Sequence, residues 1–87
     1  MQFEYDPEKS ATNLGKHGID FETAKQLWEG KTLEGPAKSL SEIRAFAIGQ
    51  IGRKFWTVIY TQRGKKTRLI SARRSTRNEI KFYNEAD

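Results

Sequence analysis

Apolar and polar positions change their period near residue 30. Before it they follow a helix: Phe21, Ala24, Leu27 and Trp28 recur on one side of a 3.6-residue turn, with Glu22, Lys25, Gln26 and Glu29 on the other. Asp20 stands where that helix needs a cap, and Gly30 ends it. The upstream run DPEKSATNLGKHG has the same kind of boundaries: Asp6 can accept from the first free amides, Pro7 suits the first helical position, and Gly18 supplies a left-handed stop. Lys16 and His17 fall in its last turn, where positive charge complements the carbonyl end of the helix dipole. A short strand, FEYD, precedes this helix and ends at Asp6.

From Lys31 onward the period is that of strands. TLEG, RAFAIGQ, FWTVIYTQ and TRLISAR are rich in β-branched and aromatic residues, and IGRK and RGKK are short enough to turn antiparallel hairpins. Phe55, Thr57, Ile59 and Thr61 point one way and Trp56, Val58 and Tyr60 the other, so both faces of that strand carry apolar groups. Thr76 and Glu79 have the spacing of a capping box and open a last helix reaching about Ala86, with Ile80 and Tyr83 on its inner side. This order predicts an α+β fold: a small antiparallel β-sheet with two N-terminal helices and one C-terminal helix, packed on one face. No repeat, linker or low-complexity tract divides the chain, so residues 1–87 are expected to form one domain.

Composition narrows the partners. The chain has 87 residues, enough for only a thin core, and no cysteine, which excludes disulfides, thiolate chemistry and Cys-ligated zinc. Its N-terminus lacks a signal-peptide pattern and no apolar run is long enough for a bilayer, so a soluble cytoplasmic protein without membrane contact is expected. The net charge of +5 is unevenly spread: residues 1–43 carry five basic and eight acidic side chains, residues 44–87 eleven and three. That asymmetry points to a polyanion, with nucleic acid the first candidate; a solvated basic surface is the alternative.

The stretches FEYDPEKSATNLGKHGIDFETA, AIG, YTQRG and RLISARRSTRNEIKFY resemble the BrnT family of type II toxin-antitoxin toxins over nearly the full length, least around residues 30–42. The resemblance implies a RelE-like fold and a metal-independent endoribonuclease activity that blocks translation. It also implies a BrnA-like ribbon-helix-helix antitoxin that neutralises the toxin in a hetero-oligomer and through which alone operator DNA is contacted.

Cleaving RNA without a metal requires a base for the 2′-hydroxyl proton, cations for the phosphorane and an acid for the leaving 5′-oxygen. His17 is the one side chain whose ordinary pKa suits either proton role near neutrality, although its place at a helix end equally suits capping of carbonyls. Lys16 reads as a surface cation rather than a proton donor, and it could bind phosphate. Arginine stays protonated but grips phosphate through two hydrogen bonds, which singles out Arg68 and Arg73 as the phosphate-contacting pair and Arg63, Arg74 and Arg77 as further RNA contacts. On a regular strand Arg68 and Arg73 would face opposite ways, so convergence of the two requires a bulge or the strand end. The competing reading has one of them paired with Glu79 or an N-terminal acid such as Asp6.

Tyr83 could donate a proton or stack, and Tyr60 could stack on a base; in so small a domain both could equally be packing residues. Glu79 reads first as the capping partner, with a general-base role as its alternative. Neither a metal site nor a cofactor is expected, because one histidine and scattered carboxylates give no ligand cluster. Two functions remain: an endoribonuclease, or a non-catalytic nucleic-acid-binding module with a basic sheet face. A cationic surface that serves an acidic antitoxin is compatible with both.

Overall fold

The computed structural model describes residues 1–40 and 42–86. In chain order the elements are β1 (Gln2–Glu4), α1 (Pro7–His17), α2 (Phe21–Ala24) running into a 3₁₀ segment (Lys25–Glu29), β2 (Thr32–Ala37), β3 (Arg44–Ile51), β4 (Lys54–Arg63), β5 (Lys66–Arg74) and α3 (Arg77–Glu85). No helix among the described residues is long and apolar enough to cross a membrane.

The boundaries follow the capping chemistry. Asp6 accepts from the Glu8 amide, Pro7 opens α1, and Gly18 closes it at φ 77°, its amide bonding to the Leu14 carbonyl. Asp20 accepts from the Thr23 amide, and Thr76 and Glu79 complete a reciprocal capping box at α3. Gly52 and Gly64, at φ 62° and 59°, are the first residues of two-residue hairpin turns, with Ile51 facing Lys54 and Arg63 facing Lys66.

The five strands lie in the order β1-β5-β4-β3-β2. All neighbours are antiparallel except β1 and β5, which run parallel, so the sheet is mixed rather than wholly antiparallel. Hairpin signals report only strands joined by short turns. The parallel pair is closed by everything from α1 to β4, and no local signal marks it.

The helices also divide between the faces. Ile19, Phe21, Ala24 and Leu27 pack on Ala47, Trp56, Val58, Leu69 and Ala72 to form the core. Gly49 permits this closeness, since a Cβ there would lie 2.8 Å from Leu27 Cγ. On the opposite face, α3 meets the sheet through a Tyr83–Phe55 ring contact at 5.5 Å and a 3.0 Å bond from Thr57 Oγ1 to Glu79 Oε1. One face was therefore too few: the apolar side chains on both sides of β4 each require cover.

Candidate functional site

The geometry of β5 turns on one extra residue. Thr57 faces Arg73, Ile59 faces Ser71 and Thr61 faces Arg68, while the register shifts between Ile59 and Tyr60, leaving Ile70 as the unpaired residue of a bulge. Because cross-strand partners share a face, Arg68, Ser71 and Arg73 all project from the face opposite the core. Arg63, two residues after Thr61 on β4, projects there too.

Sharing a face does not make these arginines converge. Arg73 is held in a two-pronged pair by Glu79, both N···O distances being 2.8 Å. Glu79 Oε1 also accepts from the Thr76 amide at 2.7 Å and from Thr57 at 3.0 Å. The Arg73 bonds, ahead of the amide and hydroxyl donors, hold the Glu79 carboxyl down at about 2, which leaves it a weak proton acceptor. Arg68 binds Glu4 at 2.8 Å, with Arg63 at 4.0 Å from the same oxygen. Arg74 turns to the core face, where its guanidinium lies 5.5 Å from the Trp56 ring centre, and Arg77 is exposed at the first turn of α3. The arginines of β5 and the start of α3 thus splay to different sides.

Two smaller recesses instead gather the candidate chemistry at the outer edge of β5. One, of about 250 Å³, is lined by Lys9, Thr12, Asn13, Lys16 and His17 from α1 and by Ile70 and Ser71 from β5. The other, of about 180 Å³, is lined by Asp6, Lys9, Glu42, Arg44, Arg63, Arg68, Leu69 and Ile70. Lys9 and Ile70 belong to both, so the two adjoin around the bulge. His17 and Lys16 therefore share one recess, Arg63 and Arg68 the next.

Asn13 fixes this arrangement. β1 ends at Glu4, paired to Arg68, so from Leu69 onward β5 has no strand on the edge away from β4. The Asn13 amide takes that place: its Nδ2 donates to the Ala72 carbonyl at 2.9 Å and to the Ile19 carbonyl at 2.8 Å, and its Oδ1 accepts from the Ala72 amide at 3.2 Å. Ser10, one turn earlier, accepts from the Phe21 amide at 2.9 Å. These two buried polar residues, rather than an apolar stripe, seat α1. Lys16 and His17 follow Asn13 by three and four residues and so lie one turn along on the same side. The burial of Ser10 and Asn13 has no signal in the hydropathy pattern, and nothing in the sequence marks Lys9, which lies outside the arginine-rich end.

The aromatic candidates lie elsewhere. Tyr60 projects to the core face, donates to Glu34 and meets the Trp28 ring at 5.5 Å. Burial, then the neighbouring Glu34 carboxylate, raises its phenol well above the usual range. Tyr83 donates to the Lys31 carbonyl at 3.1 Å, while Lys31 Nζ caps α3 by donating to the carbonyls of Tyr83 and Ala86 at 3.2 and 2.6 Å. Neither hydroxyl lies with the arginines or with His17. A larger recess of about 620 Å³ between α3 and β2–β3 is walled by Leu33, Phe46, Ile48, Phe82 and Ala86, with Glu79 and Glu85 its only ionisable residues. It lacks the cations that a phosphodiester requires.

The α1–β5 recess joins an imidazole, two ammonium groups and two hydroxyls, with no carboxylate among its lining residues. That set can attract a phosphodiester and move a proton beside it. Among the described residues no group of three or more His, Cys, Asp or Glu is placed to hold a metal ion. A search of curated proteins found no match. Residues 5–79, which run from the edge of the α1 cap to the capping glutamate of α3, match the family described as the ribonuclease toxin BrnT of type II toxin-antitoxin systems. The chain therefore belongs to the BrnT family of ribonuclease toxins.

Proposed function

We propose that this chain is a metal-independent endoribonuclease that stops translation by cutting RNA, with the scissile phosphodiester lying in the recess between α1 and the β5 bulge. The observation that supports this reading is the cluster of Lys9, Lys16 and His17 beside Ser71 with no acid lining the same recess. His17 carries the proton, as base toward the 2′-hydroxyl or acid toward the leaving 5′-oxygen. Lys9 and Lys16 balance the charge that builds on the phosphorane. Arg68 and Arg63 stand in the adjoining recess and steer the chain entering it. Arg73, tied to Glu79, orients the end of β5 and the start of α3 rather than gripping phosphate.

As a type II toxin the protein has an antitoxin partner. We assign that role to a BrnA-like ribbon-helix-helix protein, with operator DNA reached only through it, and we take the single domain of residues 1–87 to be RelE-like. The direct test incubates the purified chain with single-stranded RNA in excess EDTA. Cleavage at a rate unchanged by the chelator supports the proposal. Loss of cleavage on chelation, or binding of RNA without any cleavage, overturns it, and the second result would favour the binding module.

A further inference from the structure

The recess that adjoins the proposed phosphate site has a different electrical character. Lys9, Arg44, Arg63 and Arg68 share it with Asp6 and Glu42, and Glu4 pairs with Arg68 at 2.8 Å and lies 4.0 Å from Arg63. Arg44 is likewise paired with Glu42, at 3.0 Å. With most of its cations already matched by carboxylates, this space offers a phosphate little net attraction, in contrast to the acid-free recess beside it. What it does offer is a mixture of hydrogen-bond donors and acceptors, the surface that reads the edge of an unstacked base.

Size points the same way. At about 180 Å³ the space is smaller than the ~300 Å³ at which sites begin to enclose drug-sized ligands, so it suits one planar base rather than a whole nucleotide. Asp6 selects among the bases. One of its oxygens accepts from the Glu8 amide at 2.9 Å, and among the described residues no donor engages the other. A carboxylate only accepts, and guanine alone among the RNA bases presents two adjacent N–H donors, at N1 and the exocyclic N2, on its Watson–Crick edge. Its O6 and N7 acceptors in turn suit a guanidinium or an ammonium.

We propose that this recess binds the base of the nucleotide next to the scissile phosphate and prefers guanine, Asp6 accepting from N1–H and N2–H while one of the three arginines meets O6 or N7. This assignment rests on the placement of the phosphodiester in the neighbouring recess. It makes the Ile70 bulge the divide between base and backbone.

The test is a titration of the full chain with guanosine and adenosine monophosphates, followed by amide chemical shifts, for the native sequence and Asp6→Asn. Asparagine caps a helix about as well as aspartate, so the variant keeps α1 while turning an acceptor-only group into a mixed one. The native chain is expected to bind the guanine nucleotide about tenfold tighter or more, with the largest shifts at Lys9, Arg68 and Ile70. In Asp6→Asn the preference is expected to vanish or reverse. Equal affinity for the two nucleotides, or a guanine preference that survives the substitution, overturns the proposal. Because the titration needs no cleavage, loss of base selectivity in an active ribonuclease refutes the recess alone, whereas selectivity in an inactive one refutes the ribonuclease reading.

Discussion

Glu79 shows how one side chain can be read correctly for its local role and still hold more than that. Its spacing from Thr76 marks a capping box in the sequence, and the structure has that box. Its grip on Arg73, a residue on the preceding strand, depends on the turn between them and on Thr57 of β4, which no local pattern reports. Because the folded carboxyl sits at about 2, below its ordinary 4.5, the native state is favoured by the ionised form. Its contribution to stability is complete above about pH 4.5 and is lost as the pH falls towards 2. Glu79→Gln retains a capping-box residue but removes the charge pair. It is expected to lower unfolding stability by about 2 kcal/mol at neutral pH and to flatten the acid slope in urea melts between those limits. An unchanged slope would mean that another carboxylate carries it.

At the scale of elements, α1 and β5 depend on each other through Asn13. The sequence places α1 well because its caps are local, and it places β5 well because the RGKK turn marks its start and the run TRLISAR has strand character. It does not reveal that a helix serves as the missing neighbour of a strand. Nor does it fix the bulge at Ile70, since the choice between a regular strand and a bulged one is made by pairing with β4. Replacing Asn13 with alanine leaves the Ala72 amide and carbonyl without their partner at a buried edge. Such orphaned groups cost about 1–3 kcal/mol each, so Asn13→Ala is expected to lose at least about 2 kcal/mol. Hydrogen exchange at the Ala72 amide should accelerate along with it, and a protected Ala72 amide in the variant would show that α1 is seated by something else.

Across the whole molecule, the charge asymmetry between the two halves predicts a polyanionic partner but does not mark where the site that we propose lies. The eleven basic residues after position 43 do not assemble into one cradle, because alternation sends Arg73 and Arg74 to opposite faces, while Glu4 of β1 takes up Arg68 and Glu79 of α3 takes up Arg73. The site we propose draws on the acid-rich N-terminal half instead, where Lys9, Lys16 and His17 line one recess on α1. Net charge counts residues; a site depends on which cations have no carboxylate beside them. The division of helices between two faces was foreshadowed by the apolar groups on both sides of β4, yet choosing the face of α3 required the Phe55–Tyr83 and Thr57–Glu79 contacts.

The most direct test compares RNA cleavage by His17→Ala with cleavage by the double variant Arg74→Ala, Arg77→Ala, each checked for a native circular dichroism spectrum. His17 is exposed and its removal should leave the fold intact while slowing cleavage by about 100-fold or more, whereas the double variant should cut within a few-fold of the native rate. Native cleavage by His17→Ala, together with its loss in the double variant, would contradict a site between α1 and β5 and return it to the arginine-rich end of the chain.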